Sequence, residues 1–596
     1  MRPPLIDLEM TMQKYYSNEK NVQIILSLLK AHGIRRVIAS PGATNVALVG
    51  SMQNDPFFEI YSSVDERSAA YIACGLAAES GEPVVISCTG ATASRNYLPG
   101  LTEAYYRKLP VLAITSTQAV SKVGHHVAQV IDRSSMPKDV AVLSVNLPIV
   151  KDGDDFWECE VKVNKALLAL KHRGGGPVHI NLPTVYDKDF SIKALPSVRT
   201  IRRITHGDEF PELKGRVSVF VGAHRHWTEQ DTEALDRFCA ANDAVVFCDH
   251  TSAYHGRYRV QFALAAAQQF TDRSALNSDV FIHIGEVTGD YSTLRMSGKQ
   301  VWRVNEDGEL RDTFRKLHYI FEMKECDFFN HYAQGAAAEK ADYLQACREC
   351  LAQVRESVPE VPLSNIWLAS RMAHRIPEGS TVHFGILNSL RAWNFYDLPA
   401  SVSSVANTGG FGIDGALSTV LGASLFNREK LYYLVLGDLA FFYDMNALGN
   451  RHVGCNLRIL LVNNGKGTEF KNYGHHAARF GDDAELFMAA TGHYGNRSPV
   501  LVKAYAEALG FEYFSASTKD EFEMAFERFL MPGITERPMV FEVFTDSDEE
   551  STALETMMTI DVDTKRRAKS RAKAIVINAL GANTVEQLKK IKNILK

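Results

Sequence analysis

The stretch LYYLVLGDLAFFYDMNAL, Leu431 to Leu448, sets an apolar run suited to a buried strand directly against Gly437-Asp438. Burying a carboxylate is costly unless something offsets its charge, and the usual partners are a cationic side chain or a metal. An acid at a strand end therefore asks for a ligand, because open α/β sheets bind ligands beyond the carboxyl ends of their strands. Further on, LRILLVNNGKG is a second strand pattern, ending in Asn463-Asn464. Two adjacent strand tips would then present a carboxylate and an amide to one site. Oxygen donors of that kind suit magnesium, which keeps near-octahedral geometry and completes its shell with substrate phosphates. Gly465 and Gly467 let the backbone bend and offer the carbonyl of Lys466. A plainer reading has Asp438 capping the helix FFYDMNALGN and NNGKG serving as a turn. The two motifs together, at this separation, are much rarer than either alone.

Outward from that stretch, helical and strand patterns alternate. Between Asn21 and Tyr186 the chain runs NVQIILSLLKAHG, RRVIAS, PVVISC, PVLAITS and GPVHINLP. From Val217 to His331 the theme returns as VSVFVGA, DAVVFCD and DVFIHIG, and from Asn365 to Thr545 as TVHFGI, LYYLVLGD, LRILLVNN and PMVFEVFT. Such alternation means parallel strands with crossover helices. At 596 residues the chain exceeds one core, so several domains are expected. The predicted fold is α/β, with three doubly wound parallel-sheet domains at 20–190, 205–345 and 363–550 and a basic helical tail at 551–596. The tail, with KRRAKSRAKA, reads as a solvated or docking face.

Hydrophobic residues make up 46% of the chain and charged residues 23%, with a formal net charge of -5. That balance fits a globular protein and holds no basic surplus for nucleic acid. No apolar run approaches the roughly 20 residues of a membrane span. The 9 cysteines are scattered and no secretory signal precedes them, so a reduced, cytoplasmic chain without disulfides is expected. Cys347 and Cys350 form a lone CxxC in a helical pattern, which favours an ordinary helix over zinc or redox chemistry.

The glycine-acid and paired-asparagine motifs resemble the diphosphate-magnesium motif of thiamine-diphosphate-dependent enzymes, the acetolactate synthase and pyruvate decarboxylase type. YSSVDERSAAYIACGLA, ASPGATNVAL and SCTGATASRNYLPGLTEAYYRKLPVLAITS follow the pattern of that family's first domain. FGILNSL, GGFGIDGALST, GDLAFFYDMNAL and NNGKGTEF are most similar to the branch of the menaquinone-pathway synthase that joins 2-oxoglutarate to isochorismate. The resemblance implies a pyrimidine-binding first domain, a central domain and a diphosphate-binding third domain. It assigns magnesium to Asp438, Asn464 and the Lys466 carbonyl, and further cofactor contacts to Glu66, Ser389, Ile413, Gly437 and Leu439. Ile413 would be the apolar support beneath the bent cofactor. Glu66 would partner the aminopyrimidine ring so that the cofactor's own amine removes the thiazolium proton; taken alone, a glutamate at a helix start is common. Gln129 matches an active-site glutamine, and His125 and His126 resemble the proton-relaying pair of decarboxylase members. Glu469 stands where the synthase has an apolar residue, adding a polar group to the catalytic surroundings.

The implied reaction decarboxylates a 2-oxo acid donor and transfers the acyl-anion equivalent to a carbonyl or enone acceptor. The implied assembly is a homodimer or homotetramer with its sites at subunit interfaces. The paired histidines keep simple 2-oxo acid decarboxylation as the alternative. A GxGxxG from Gly410 to Gly415 raises an NAD-dependent oxidoreductase, a weak signal because no clear strand directly precedes it. A catalytically silent cofactor-binding protein is the remaining reading, and the intact Glu66 stands against it. Where the menaquinone synthase carries arginines for its carboxylates, which is sound chemistry for bidentate recognition, this chain has Thr44, Trp393 and Thr408. Arg391, two residues from Trp393, would compensate in part, although a shift of two residues on a loop or helix usually points elsewhere.

Overall fold

The computed structural model describes residues 15–334, 341–489, 491 and 498–561. The first sheet contains β1 (Arg36–Ala39), β2 (Glu59–Ser62), β3 (Val84–Thr89), β4 (Val111–Thr117), β5 (Leu143–Asn146) and β6 (Val178–Pro183), in the order β2-β1-β3-β4-β6-β5. After β7 (Arg202–Ile204), the second uses β8 (Val217–Val221), β9 (Val245–Cys248), β10 (Arg259–Val260), β11 (Val280–Ile284) and β12 (Gln300–Asn305), ordered β10-β9-β8-β11-β12. β13 (Leu317–Glu322) neighbours β7. The third contains β14 (Thr381–Phe384), β15 (Ser403–Ala406), β16 (Tyr432–Gly437), β17 (Leu457–Asn463), β18 (Glu512–Ala516) and β19 (Met539–Phe544), ordered β15-β14-β16-β17-β19-β18. Neighbours pair in parallel, with Gly437 opposite Val462 and Asn463 opposite Phe544. The expected α/β class with three parallel sheets is what the chain forms.

The chain divides into two compact units. One comprises residues up to Ile204 with Glu309–Ile320 and holds the first sheet; the other comprises Thr205–Gly308 with Phe321 onward and holds the second and third. In the first unit both sheet faces are covered, as a parallel sheet requires. Val22, Ile25 and Leu29 of the helix Lys20–Ala31 pack with Val37, Val85 and Leu112 on one face. Ala69, Ala73 and Ala77 of the helix Glu66–Ser80 pack with Ile38, Ile86 and Val111 on the other. Each fully buried aliphatic side chain of this kind contributes about 1.5–3 kcal/mol. The small residues in AAYIACGLAA let a second helix approach closely: a Cβ on Gly100 would lie 2.4 Å from that of Ala70.

The CxxC lies on the helix Asp342–Glu356, and all nine cysteines are unpaired. The helix placed at the start of the tail begins earlier, running from Ser547 to Met558 with an acidic first turn of Asp548, Glu549 and Glu550. A boundary at 551 therefore falls inside a helix, and the basic segment from residue 562 lies outside the described residues. The GxGxxG also needs correction, because β15 does precede it and the helix Ala416–Phe426 follows it. β15, however, is an edge strand, away from the point where the strand order reverses.

Two buried polar residues hold the third sheet in place. Arg458, 0% exposed near the start of β17, donates to the carbonyls of Phe529 (2.7 Å), Met531 (2.6 Å) and Gly533 (2.7 Å) and to the Tyr433 hydroxyl (2.8 Å). His250, just after β9, sits 2.9 Å through Nε2 from the Trp393 carbonyl, and its backbone N–H donates to Asn394 Oδ1 at 3.1 Å. It thereby supports the end of the helix Asn388–Trp393 from beneath. Burial, with Arg259 adding to it, pushes the His250 imidazole down to about 4. The depressed value means a neutral ring in the fold and an easily protonated one in the unfolded chain. His250 should therefore contribute stability that is complete above about pH 6.5 and falls away as the pH drops towards 4, on the order of 3 kcal/mol. Urea unfolding across that range should show a shallower acid dependence in His250→Gln; parallel pH slopes for the two proteins would remove this assignment.

Candidate active site

In the third sheet the chain leaves β14 for β15 on one side and returns to β16 on the other. That reversal opens a crevice beyond the carboxyl ends of the strands, the usual ligand position in such sheets. A cavity of about 100 Å³ lies there, and Ser389, Ile413, Gly437, Asp438, Leu439 and Asn464 all contribute to its lining. Lys466 and Glu469 line it as well. Sequence motifs from four separate segments are thus brought to one place.

Asp438 is only 2% exposed. It opens the helix Asp438–Asp444, so its capping position and its strand-end position coincide. Oδ1 accepts from the Leu439 N–H at 2.8 Å, and Oδ2 accepts from the Gly465 N–H at 2.9 Å. The second bond joins the tip of β16 to the turn after β17, and it needs the bend that Gly465 makes at φ 78°. The paired asparagines then divide by strand alternation. Asn463 is 3% exposed and turns into the sheet, donating to Glu542 Oε1 at 2.7 Å. Asn464 faces the cavity. The Lys466 carbonyl accepts from the Thr468 N–H at 2.9 Å, which leaves its second lone pair for another donor or a cation. The Lys466 ammonium is paired with Glu485.

This donor set fits magnesium and a diphosphate. Carboxylate, amide and carbonyl oxygens are the hard ligands that magnesium takes. Among the described residues no three His, Cys, Asp or Glu side chains gather as a metal set, so a mixed set of this kind is the one present. A further mark is Asn365, which also lines the cavity and whose buried Oδ1 has no hydrogen-bond partner. Buried polar atoms are almost always satisfied, so such an atom points to a missing group. Its Nδ2 lies 3.4 Å from Ser389 Oγ.

Further residues shape the cavity and its surroundings. Leu387, at φ 65°, holds a left-handed conformation beside Ser389, a strained state that persists where the surroundings impose it. Glu550, 7% exposed, accepts from the Asn365 N–H through both oxygens at 3.0 Å and from Thr545 Oγ1 at 2.8 Å. Burial first, then the neighbouring Asp438 charge, pushes its carboxyl up to about 7. The Ser364-Asn365 pair at a helix start was the one available signal: Ser364 caps the helix Asn365–Met372 through the Trp367 N–H. Nothing near it foretells a glutamate from the last described helix.

Glu469 is committed to a partner. Its carboxylate forms a two-pronged pair with Arg391, with Nη1 to Oε2 and Nη2 to Oε1 both at 2.9 Å. The three positions where arginines were absent are filled otherwise. Thr44 is buried and donates to the Ser116 carbonyl at 2.8 Å; Trp393 is 0% exposed and packs on Phe384; Thr408 is buried.

In the first unit, Glu66 is the first residue of the helix Glu66–Ser80, whose cap is Asp65. It follows β2 as expected, is half-buried, and accepts from Asn96 Nδ2 at 3.2 Å through Oε2. His125, His126 and Gln129 lie in an exposed turn. His126 and Gln129 both adopt positive φ, 54° and 62°, and the Gln129 carbonyl lies close over Gly90, 3.4 Å from where a Cβ would stand.

Comparison with known proteins agrees with this geometry. The family model described as thiamine pyrophosphate enzyme, N-terminal TPP binding domain, matches residues 20–136. A 2-succinyl-5-enolpyruvyl-6-hydroxy-3-cyclohexene-1-carboxylate synthase from Bacteroides fragilis is 30% identical over 560 residues, covering 90% of this chain and 98% of that protein. The synthase of the same name from Bacteroides thetaiotaomicron is 29% identical over 565 residues, with 90% and 98% covered. That from Desulfotalea psychrophila is 30% identical over 539 residues, with 87% and 96% covered. The chain belongs to the thiamine-diphosphate-dependent enzymes. Within that class it falls in the branch of these synthases, and it is an enzyme that uses thiamine diphosphate and magnesium to form a carbon-carbon bond after decarboxylating a 2-oxo acid.

Because Glu550 satisfies the first N–H of the helix that carries Asn365, Glu550→Ala should cost about 1–3 kcal/mol of stability, the penalty for an orphaned buried donor. Glu550→Gln, which keeps an acceptor, should lose less. Equal losses in chemical denaturation would show that the bond to Asn365 is not what Glu550 provides.

Proposed function

We propose that the chain is a carboligase whose donor and acceptor differ from those of the named synthases. The observation carrying this is the pairing of the cavity that gathers the cofactor motifs with buried Thr44, Trp393 and Thr408, where that branch places its carboxylate-holding arginines. Three sheet domains, at about the spans read from the strand patterns, would carry the parts of the site. Asp438, Asn464 Oδ1 and the Lys466 carbonyl would hold magnesium. Ser389 Oγ and the Gly437 N–H would hold the diphosphate oxygens beside Leu439, whose own N–H is held by Asp438 Oδ1, where a helix start favours negative charge. Ile413, packed on the third core, would support the bent cofactor from below.

When bound, thiamine diphosphate supplies a carbanion nucleophile and the electron sink that decarboxylation requires. Glu66, with one oxygen engaged by Asn96, would use the other to share a proton with the pyrimidine nitrogen and so keep the ring in its reactive tautomer. Gln129 would orient the donor carbonyl, and His125 and His126 would exchange protons with bound substrate from the same loop. The reading further places Glu66 of one copy opposite the third sheet of another, which makes the working form a homodimer or homotetramer. Nine unpaired cysteines support a reducing, cytoplasmic setting. Among the described residues no helix is long and apolar enough to cross a membrane.

Asp438→Asn should weaken magnesium-dependent binding of thiamine diphosphate by more than about tenfold, about 1.4 kcal/mol or more. Glu66→Gln should retain binding and lower turnover by about 10²–10⁴-fold. Calorimetric titration with cofactor, and NMR of products from a panel of 2-oxo acids with and without aldehyde acceptors, read the two effects. Carbon dioxide release that never depends on an acceptor would replace the carboligase by a simple decarboxylase.

A further inference from the structure

The helix Asn388–Trp393 and the segment after Gly467 meet at the cavity that Asp438 also lines. Arg391 and Glu469 face each other there with both prongs of the guanidinium engaged, and their side chains are 26% and 21% exposed. The pair is braced: Arg391 Nη1 also donates to Asn388 Oδ1 at 3.2 Å, and Asn472 Nδ2 donates to Asn388 Oδ1 and to Glu469 Oε2, both at 3.1 Å. Asn388 and Glu469 line the same cavity as Asp438 and Asn464.

A parallel two-bond contact is the geometry that arginine uses to grip a substrate carboxylate. Glu469 occupies that grip from within. Resting on the function proposed above, we infer that the Arg391–Glu469 pair is a specificity gate: it keeps the substrate end of the site charge-neutral, so a second carboxylate on a substrate finds no free guanidinium and meets a fixed negative group. Glu469 Oε1, which accepts one hydrogen bond where Glu469 Oε2 and Asn388 Oδ1 each accept two, instead offers a hydrogen bond to a hydroxyl group. The substrate class that suits this rim is an uncharged, hydroxyl-bearing carbonyl acceptor used with a monocarboxylic 2-oxo acid donor. Specificity arises here as much from repelling the wrong substrate as from contacts to the right one.

The test compares the parent, Glu469→Gln and Arg391→Ala, each loaded with thiamine diphosphate and magnesium and titrated with 2-oxoglutarate and with pyruvate. Cofactor affinity is measured in the same series. Glu469→Gln releases the guanidinium from its anion and should tighten 2-oxoglutarate relative to pyruvate by about tenfold or more. Arg391→Ala leaves Glu469 without its cation and should move the ratio the opposite way. A structural role alone would shift both ligands together. An unchanged ratio in a Glu469→Gln protein that still binds cofactor overturns the gate, as does a parent that already prefers 2-oxoglutarate by that margin. Failure of the parent to bind thiamine diphosphate overturns the functional reading and the gate with it.

Discussion

A carboxylate shut away from water is the constraint around which the third sheet ends. Asp438 reaches the tip of β16 on a strand whose preceding residues are buried, and its charge has to be met locally. The Leu439 and Gly465 N–H groups meet part of it, and hydrogen bonds to a charged group contribute about 1.5–3 kcal/mol each. The second of these bonds crosses between strands. It ties the turn after β17 to the tip of β16, so that Asp438, Asn464 and Lys466 line one crevice.

The parts of this arrangement that could be read in the sequence are those in which one residue type repeats one physical role. The long apolar runs became β3, β4, β6, β8, β11, β16, β17 and β19, and strands of this kind are covered on both faces. The strands without such a run include the sheet edges β2, β5, β15 and β18, which have mixed exposure, and also β7, β10, β12 and β13, of which β12 breaks its buried apolar run with Arg303. The overlooked β15 is also why GxGxxG was placed in the wrong context. That Asp438, Ser389 and Ile413 line one cavity was legible because each stands in a motif at a strand end or beside a helix start. The bond from Asn365 to Glu550 and the pairing of Arg391 with Glu469 were not, because each depends on side chains from two segments far apart in the chain meeting, and a residue singled out in one segment does not name its partner in the other.

Cofactor and substrate information are therefore stored differently. In the proposed site the cofactor side would rely on strand tips and backbone groups, which the sheet fixes once its register is set. The proposed substrate side would rely on side chains of a short helix and a turn, the helix held from below by the contact between His250 and the Trp393 carbonyl. Such a support leaves the identity of outward-facing residues free to vary while their backbone stays put, which is how one cofactor platform serves many substrates.

Arg458 gives this platform a property of its own. Its guanidinium sits in a cage of three carbonyls and a tyrosine hydroxyl at the start of β17, with Asn464 just past the strand's other end. Parallel pairing by itself tolerates neighbouring registers whenever both faces are apolar, because a slipped strand still buries its side chains. Here a slip of one residue would drag a charged group out of its cage and turn Asn463 rather than Asn464 towards the crevice. The buried arginine thus acts as an index pin, so that β17 cannot assemble in any alignment that leaves the sheet intact but the site wrong.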